Sequence, residues 1–258
     1  MTPLPYVLHA LSPLHAGVGQ AAELIDLPIA RLKGSGIPFV PGSSIKGVLR
    51  EARTGKIATD ELESVFGPDT DNADKHAGAL ICTDARLLAL PVRSFRGTYA
   101  YVTSPLLLTL AGRDLPKPLP IPNVARGIQV AAASTLKDGG KVYLEDLDLD
   151  VQNVDRSFHD WLDRIARVFG GTVDEQKIFS NRFAVVDDET MTFLWETATQ
   201  LDQRVRIDPD TRTVAKGALW LEESLPPETL LIGQLLAIGS ISLFHSHAYL
   251  WSVLLQSA

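Results

Sequence analysis

The sequence predicts an α+β fold, and three features of the chain carry that prediction. Short segments with strand-like patterns alternate with segments whose apolar residues have helical spacing. The helical segments are too few for a doubly wound parallel sheet. The 258 residues are 45% apolar and 21% charged, which is ordinary globular usage and excludes a chain that is disordered as a whole.

The first half of the chain predicts both strands and helices. In order, it predicts a strand over 5–13, an irregular glycine-rich stretch over 14–37, a helix that begins within 41–53, a helix from Thr59 to Gly67, and two strands separated by a bend over 78–92. Ser43 or Ser44 is expected to cap the first of these helices. Ser104 followed by Pro105 predicts the N-cap and the first residue of a third helix.

The second half continues the alternation. It predicts strands over 127–150, a helix from Asp155 to Phe169, a helix after Asp188, a β-hairpin around 205–222 and a strand-rich segment over 229–255. The helix over 155–169 is the clearest, because apolar residues recur on one face. Trp161 lies on that face and is expected in the core rather than on a stacking surface. A ferredoxin-like arrangement with insertions matches this order best.

Several classes of protein are excluded. No apolar run approaches the ~20 residues of a membrane helix, and no basic region precedes an apolar stretch as in a signal peptide. The single Cys82 can form neither an intrachain disulfide nor a cysteine-rich zinc site. The sequence also lacks the G-x-S-x-G, G-x-G-x-x-G and H-E-x-x-H patterns of common hydrolases and dinucleotide-binding proteins. We therefore expect a cytoplasmic protein with no membrane partner.

The charge is unevenly distributed along the chain. The net charge is −7, yet residues 27–56 carry six basic residues against the single acid Glu51. The six are Arg31, Lys33, Lys46, Arg50, Arg53 and Lys56. A second basic stretch contains Arg86, Arg93, Arg96 and Arg113. This segregation predicts one polyanion-binding face on an acidic body, and chance clustering on solvated faces is the alternative.

The segment PGSSIKG at 41–47 is the most distinctive local motif. A glycine and two hydroxyl residues precede a helix, whose first N–H groups point outward and attract anions. Lys46 lies close to that positive helix end, where a cation is favoured only if an external phosphate is the partner. The segment is not a Walker loop, because Val48 follows Gly47 where that motif requires lysine. A plain capped helix is the alternative.

Asp26 interrupts the apolar run at 24–29. It either points outward from an alternating strand or is held for chemistry, for example to bind a metal beside a phosphate. His15, in a loop, is either a general base or a packing residue. His245 and His247 would share one strand face, but no third metal ligand is apparent nearby.

These motifs occur together with several others in a characteristic order. The segments are LHAGVG at 14–19, IDLPIAR at 25–31, GIPFVPGSSIKGVLR at 36–50, FGP at 66–68, GALICTDARLLALPVRSFRG at 78–97, YVTSP at 101–105 and RIDPDTRTVAKGALWLEESLP at 206–226. In this order they resemble the RAMP superfamily of CRISPR proteins. More narrowly, they resemble the repeated backbone subunit of the type III-B (Cmr-type) effector complex.

The resemblance implies a single RAMP domain over 1–258 with a ferredoxin-like (RRM-like) core. Inserted segments would occupy about 14–37 and 53–78, and a β-hairpin "thumb" over about 200–224 would wedge into the guide–target duplex. It also implies that several copies stack along a guide crRNA beside other Cmr-complex subunits. Each copy would cut the complementary target RNA once.

The resemblance also implies roles for particular residues. Cleavage would depend on Asp26 with a divalent metal (Mg or Mn), and His15 would assist as a base. The guide backbone would be held by the segment that contains Ser43, Ser44 and Lys46. Further basic residues would support RNA binding, and these are Arg31, Lys33, Arg50, Arg93 and Arg96.

Near its C-terminus the sequence departs from the family. The usual Gly-rich loop is replaced over 232–251 by a run with only Gly233 and Gly239. A guide-RNA scaffold subunit without cleavage activity therefore stays open as an alternative. A ferredoxin-like regulatory module that binds a small anion is a separate alternative.

Overall fold

The computed structural model describes residues 3–17, 25–72, 74–169, 172–207, 210 and 212–238. Within these residues the fold mixes helices and strands, as the sequence predicts. The helices are α1 (Gly42–Glu51), α2 (Thr59–Phe66), α3 (Pro105–Gly112), α4 (Arg156–Phe169), α5 (Val173–Ser180) and α6 (Asp188–Thr197). The strands are β1 (Leu4–His9), β2 (Phe39–Val40), β3 (Leu80–Cys82), β4 (Ala85–Arg93), β5 (Tyr99–Thr103), β6 (Ile128–Val130), β7 (Lys141–Leu144), β8 (Leu147–Asp150), β9 (Phe183–Val186), β10 (Gln200–Ile207), β11 (Val214–Ser224) and β12 (Leu230–Ala237).

The chain divides into two compact units, each assembled from segments that are distant in the sequence. The larger unit contains the described residues within 7–39 and 86–232. The smaller unit contains the described residues within 3–6, 40–85 and 233–238. The single domain expected over 1–258 stays a prediction.

The larger unit is built on a mixed sheet with the strand order β12-β4-β5-β9-β6. Strands β5 and β9 are parallel, with Tyr101 opposite Phe183, and the other neighbours are antiparallel. Two antiparallel pairs, β7–β8 and β10–β11, lie outside this sheet. The pair β10–β11 confirms the hairpin expected around 205–222, although Pro209, at its expected turn, lies outside the described residues.

Helix α4 supplies the apolar face that covers the core of the larger unit. Phe158, Trp161 and Ile165 lie on this face and are at most 3% exposed. The indole N–H of Trp161 donates to the carbonyl oxygen of Pro120 at 3.0 Å, so its one polar atom is satisfied inside the core. The expectation that Trp161 is a core residue is confirmed.

The smaller unit has a core of its own. Leu62, Val65 and Phe66 of α2 pack with Leu80 of β3, and β3 pairs antiparallel with residues 235–237 of β12. Helix α1 begins against the β3–β4 turn, because Gly42 approaches that turn closely. A Cβ atom on Gly42 would lie 2.1 Å from the carbonyl oxygen of Cys82. The glycine of PGSSIKG is thus required by packing.

Other expectations concern single elements. Ser104 caps α3 and Pro105 is its first residue, and the helix expected after Asp188 is α6. The expected strand-rich segment over 229–255 begins with β12, but His245 and His247 lie outside the described residues.

None of the helices in the described residues is long and apolar enough to cross a membrane.

We predict opposite effects for alanine at two glycines of α1. Gly42→Ala should lower the free energy of unfolding, because its Cβ overlaps a backbone carbonyl. Gly47→Ala is the matched control, since no atom lies within 4 Å of its added Cβ. It should raise the stability by about 1 kcal/mol through helix propensity. Thermal unfolding of both variants measures the difference, and equal effects would contradict the close approach at Gly42.

Candidate functional site

The segment at 25–31 forms an extra edge beside β11. The N–H of Leu27 donates to the carbonyl oxygen of Leu221 at 3.0 Å, and the N–H of Glu223 donates to the carbonyl oxygen of Leu27 at 2.9 Å. Asp26 is exposed, and its Oδ2 accepts a hydrogen bond from the N–H of Leu221 at 2.8 Å. The side chain of Asp26 therefore lies at the surface, as one of the two interpretations expects, and a backbone N–H of β11 holds its carboxylate; its role in chemistry stays a prediction.

His15 lies next to the same part of β11. Its Nδ1 is 2.6 Å from the carbonyl oxygen of Glu223. Because a carbonyl only accepts, Nδ1 carries the proton, and Nε2 is the basic nitrogen of the neutral ring. A Cβ on Gly17 would lie 2.5 Å from Nε2, so a glycine there leaves room for the imidazole.

Glu223 is a buried acid, 3% exposed, whose contacts the sequence did not reveal. Its Oε1 accepts from Nη2 of Arg31 at 2.6 Å, and its Oε2 accepts from the N–H of Ile29 at 3.0 Å. Nη1 of Arg31 donates to the carbonyl oxygens of Gly36 at 3.3 Å and Trp195 at 3.1 Å. The guanidinium expected to support RNA binding is therefore largely engaged by protein acceptors.

The hairpin β10–β11 has two different faces. Val205 lies opposite Leu219, and both side chains, like that of Leu201, are about half exposed. On the other face Arg204 forms ion pairs with Glu222 at 3.0 Å and with Asp202 at 3.8 Å.

The base of this hairpin is the part of β11 that holds Asp26, so the structure brings Asp26, His15 and the hairpin together.

In the smaller unit, helix α1 presents the other candidate residues. The expectation that Ser43 or Ser44 caps α1 is wrong, because the N-cap is Pro41 and no side chain bonds there as a cap. The helix begins earlier, at Gly42, whose N–H donates to Oδ1 of Asp84 at 2.8 Å. Ser43 and Ser44 are therefore exposed residues of the first turn, with the hydroxyl groups at the helix surface.

Lys46 is the fifth residue of α1 and is partly exposed. It lines a cleft of about 460 Å³ together with Ser43, His76 and Cys82. Burial raises the pKa of the Cys82 thiol, and the nearby Lys46 ammonium partly opposes that rise. The thiol is therefore a neutral wall of the cleft at neutral pH, and Lys46 supplies positive charge there.

Arg50, also on α1, has a different environment. Its Nη1 donates to the carbonyl oxygens of Gly67 at 2.6 Å and Pro68 at 2.9 Å. Arginine suits this role because its planar fork can reach two acceptors at once. Arg50 thus holds the loop that follows α2.

The remaining basic candidates lie in the larger unit. Lys33 is exposed in a turn. Arg93 forms an ion pair with Glu145 at 3.2 Å, and Arg96 forms one with Asp138 at 3.0 Å. RNA phosphates would have to compete with these carboxylates for both arginines.

The described residues contain no group of three or more His, Cys, Asp or Glu side chains that could hold a metal ion. Asp26 offers one carboxylate, of which Oδ2 already accepts a hydrogen bond. This donor set is too small to retain a cation by protein ligands alone. It fits Mg²⁺ or Mn²⁺ only if water molecules and a substrate phosphate complete the coordination, as is usual for Mg²⁺ in proteins.

Comparison with known proteins gives consistent matches. The family model described as RAMP superfamily matches residues 7–246. The curated relative "CRISPR system Cmr endoribonuclease Cmr4" of Pyrococcus furiosus is 34% identical over 237 residues, which are 89% of this chain and 79% of the relative.

Solved structures show the same similarity. The crystal structure of oligomeric Cmr4 from Pyrococcus furiosus is 27% identical, with a TM-score of 0.75 over 98% of this chain and 88% of that chain. A chain in the cryo-EM structure of the type III-B Cmr-beta bound to cognate target RNA shares the fold. It has a TM-score of 0.74 at 20% identity over 100% of this chain and 90% of that chain.

The contacts of α1 predict different effects on stability for its two candidate cations. Arg50→Met removes hydrogen bonds to two carbonyls and should lower the free energy of unfolding by about 2 kcal/mol. Lys46→Met should change it by less than about 0.5 kcal/mol, since Lys46 makes no hydrogen bond or ion pair within the described residues. Chemical denaturation of both variants tests this difference, which equal losses would contradict.

Proposed function

The chain belongs to the RAMP superfamily, and on that basis we propose that it is a guide-RNA-binding backbone subunit of a type III-B CRISPR effector complex. In that complex it cleaves complementary target RNA at regular intervals. Its partners are the guide crRNA, the target RNA, further copies of itself and other Cmr-complex subunits, in an assembly that works in the cytoplasm. The observation that carries the proposal is the exposed Asp26 carboxylate, held by the hairpin in a chain 34% identical to a named Cmr endoribonuclease.

The proposal also assigns a role in RNA binding to the mixed sheet and to the hairpin β10–β11. The mixed sheet of the larger unit, covered by α4, is the ferredoxin-like RNA-binding core. The hairpin β10–β11 is the thumb, and its half-exposed Leu201, Val205 and Leu219 support this assignment. Such an apolar face would be covered when it wedges between unstacked bases of the guide–target duplex.

The proposed reaction uses the ribose 2′-OH beside the scissile phosphate as the nucleophile, which limits the substrate to RNA. The 2′-oxygen forms a bond to phosphorus as its proton passes to a base. The bond from phosphorus to the 5′-oxygen breaks, and the leaving oxygen takes the electron pair and a proton from water. The products are a 2′,3′-cyclic phosphate and a 5′-hydroxyl end. Asp26 orients the reacting groups, and in the neutral ring of His15 Nε2 is the nitrogen that can accept the proton, because Nδ1 donates to a carbonyl.

A divalent cation is part of this proposal. The Oδ1 atom of Asp26 would be its one protein ligand, because Oδ2 accepts from the N–H of Leu221. When bound, Mg²⁺ or Mn²⁺ would stabilise the negative charge that develops on the phosphate.

Binding of the guide backbone is assigned to the first turn of α1 and its neighbours. Ser43 and Ser44 are exposed there, and Lys46 adds a positive charge. Lys33, an exposed residue of the larger unit, is the other basic candidate with no hydrogen bond or ion pair within the described residues. Contributions from Arg31, Arg50, Arg93 and Arg96 require them to exchange or share their present protein partners.

We expect Lys46→Ala to weaken guide binding equally for all sequences. Loss of one phosphate contact should flatten the dependence of log K on log salt concentration by about one unit. Lys177→Ala, in which an exposed lysine of α5 is removed, gives the same change of net charge and should leave the slope unchanged. Equal slopes for wild type and Lys46→Ala, measured over about 50 to 300 mM salt, would exclude Lys46 from the RNA interface.

We expect Asp26→Asn to lower the single-turnover cleavage rate by at least about a hundredfold. The variant keeps an oxygen that can accept from the N–H of Leu221, so the loop should stay in place while the charge is lost. Binding of guide and target should stay near normal, since a carboxylate does not attract phosphate. The rate and the target affinity are measured on one preparation of the guide-loaded complex with matched RNA and Mg²⁺.

Each other result has a definite meaning. Loss of binding and cleavage together would assign Asp26 to loop ordering. Full cleavage by Asp26→Asn would exclude its role in the chemistry. A wild-type complex that binds matched RNA without cutting it would identify the chain as a structural guide-RNA scaffold.

A further inference from the structure

Glu223 joins three parts of the candidate site. Its side chain is 4% exposed, and both carboxylate oxygens have partners, one in Arg31 and one in the N–H of Ile29. Its carbonyl oxygen is 2.6 Å from Nδ1 of His15. We propose that Glu223 is the residue that positions the Asp26 loop for cleavage, an inference that rests on the proposed function.

The environment of Glu223 excludes it from contact with the substrate in this arrangement. A buried carboxylate with a hydrogen bond on each oxygen presents almost no surface to a substrate, and the Arg31 guanidinium at 2.6 Å neutralises its charge. Asp26 differs in each respect, because it is exposed and has a single hydrogen bond to the backbone. Glu223 therefore acts through other residues.

The need for Glu223 follows from an interruption in the backbone pairing. Leu27 lies between two residues of β11, accepting from one and donating to the other as in a parallel ladder. Continuing that ladder, the N–H of Ile29 would donate to the carbonyl oxygen of Glu223. That oxygen is occupied by His15, and Ile29 donates to the Glu223 carboxylate instead.

Ile29 is the next backbone donor after Leu27 on the side of the segment that faces β11. Between them lies Pro28, which has no N–H and whose position in such a ladder is directed away from β11. The carboxylate of Glu223 is then the acceptor that keeps the segment after Asp26 against β11. Through Arg31, it also joins that segment to the carbonyls of Gly36 and Trp195.

Glu223→Gln is the variant that tests this role. Its amide keeps one acceptor oxygen, but its NH₂ group then faces either Arg31 or the N–H of Ile29, donor against donor. The segment should shift, and displacement of a reacting group by about 1 Å can cost about a hundredfold in rate. We expect the single-turnover rate constant of the guide-loaded complex to fall by about 10- to 100-fold.

Three readouts separate positioning from a structural role and from direct catalysis. A positioning role lowers the rate constant while the reaction amplitude and the affinity for target RNA stay at wild-type values. A purely structural role lowers the amplitude, because fewer complexes are intact, and leaves the rate constant unchanged. If Glu223 were itself the base, the acidic limb of the pH–rate profile would disappear in Glu223→Gln.

Asp114→Asn is the matched control. It breaks another poorly exposed Arg–carboxylate pair of the larger unit, formed by Arg86 and Asp114 at 2.5 Å. We expect a loss of thermal stability with a wild-type rate constant. A rate constant lowered as much as in Glu223→Gln would show a general effect of lost ion pairs and overturn the proposal.

Glu223→Asp is the second variant, used if Glu223→Gln does not assemble. It keeps the charge beside Arg31, but its shorter side chain cannot reach both partners, so an intermediate rate constant is expected. A wild-type rate constant in either variant, together with an inactive Asp26→Asn, overturns the positioning role and leaves the proposed function intact. A wild-type complex that does not cut matched RNA overturns the proposed function itself.

Discussion

The candidate site depends on the pairing of a short irregular segment with strand β11. Leu27 makes the backbone hydrogen bonds, and the N–H of Leu221 holds the Asp26 carboxylate. An exposed carboxylate in a loop ordinarily samples many orientations, and restricting it to one orientation costs conformational entropy. Here the hydrogen bond from β11, which is one strand of the hairpin, already restricts Asp26 in the folded chain. The candidate carboxylate and the hairpin therefore share strand β11.

The net charge of −7 does not show how the basic side chains are used, because several of them are engaged by acceptors of the protein itself. Arg31 and Arg50 reach protein carbonyls, and Arg93 and Arg96 form ion pairs. The planar guanidinium fork suits such fixed acceptors, whereas lysine behaves as a mobile point charge. Among the basic candidates, the two that make no hydrogen bond or ion pair in the described part of the chain are accordingly lysines, Lys33 and Lys46.

Local patterns in the sequence were enough to predict elements whose signals are themselves local. The apolar face of α4 has a period that shows directly in the residues, and Ser104 makes the capping bond expected of it at the start of α3. Strand β9 was missed because its four residues, Phe183–Val186, are all buried and show no alternation. The cap of α1 was misassigned because its N-terminal N–H is satisfied by Asp84, a partner distant in the sequence.

For the site, the sequence by itself determined which side chains can do chemistry. An acid within an apolar run, a histidine in a glycine-rich loop and a hairpin signal all follow from residue type and order. Only the tertiary structure decided what holds them. Arg31 and Glu223 meet across 192 residues, and Ile29 and Glu223 meet across 194. No periodicity encodes such contacts, because a hydrogen bond between distant segments depends on where the whole backbone brings its donors and acceptors.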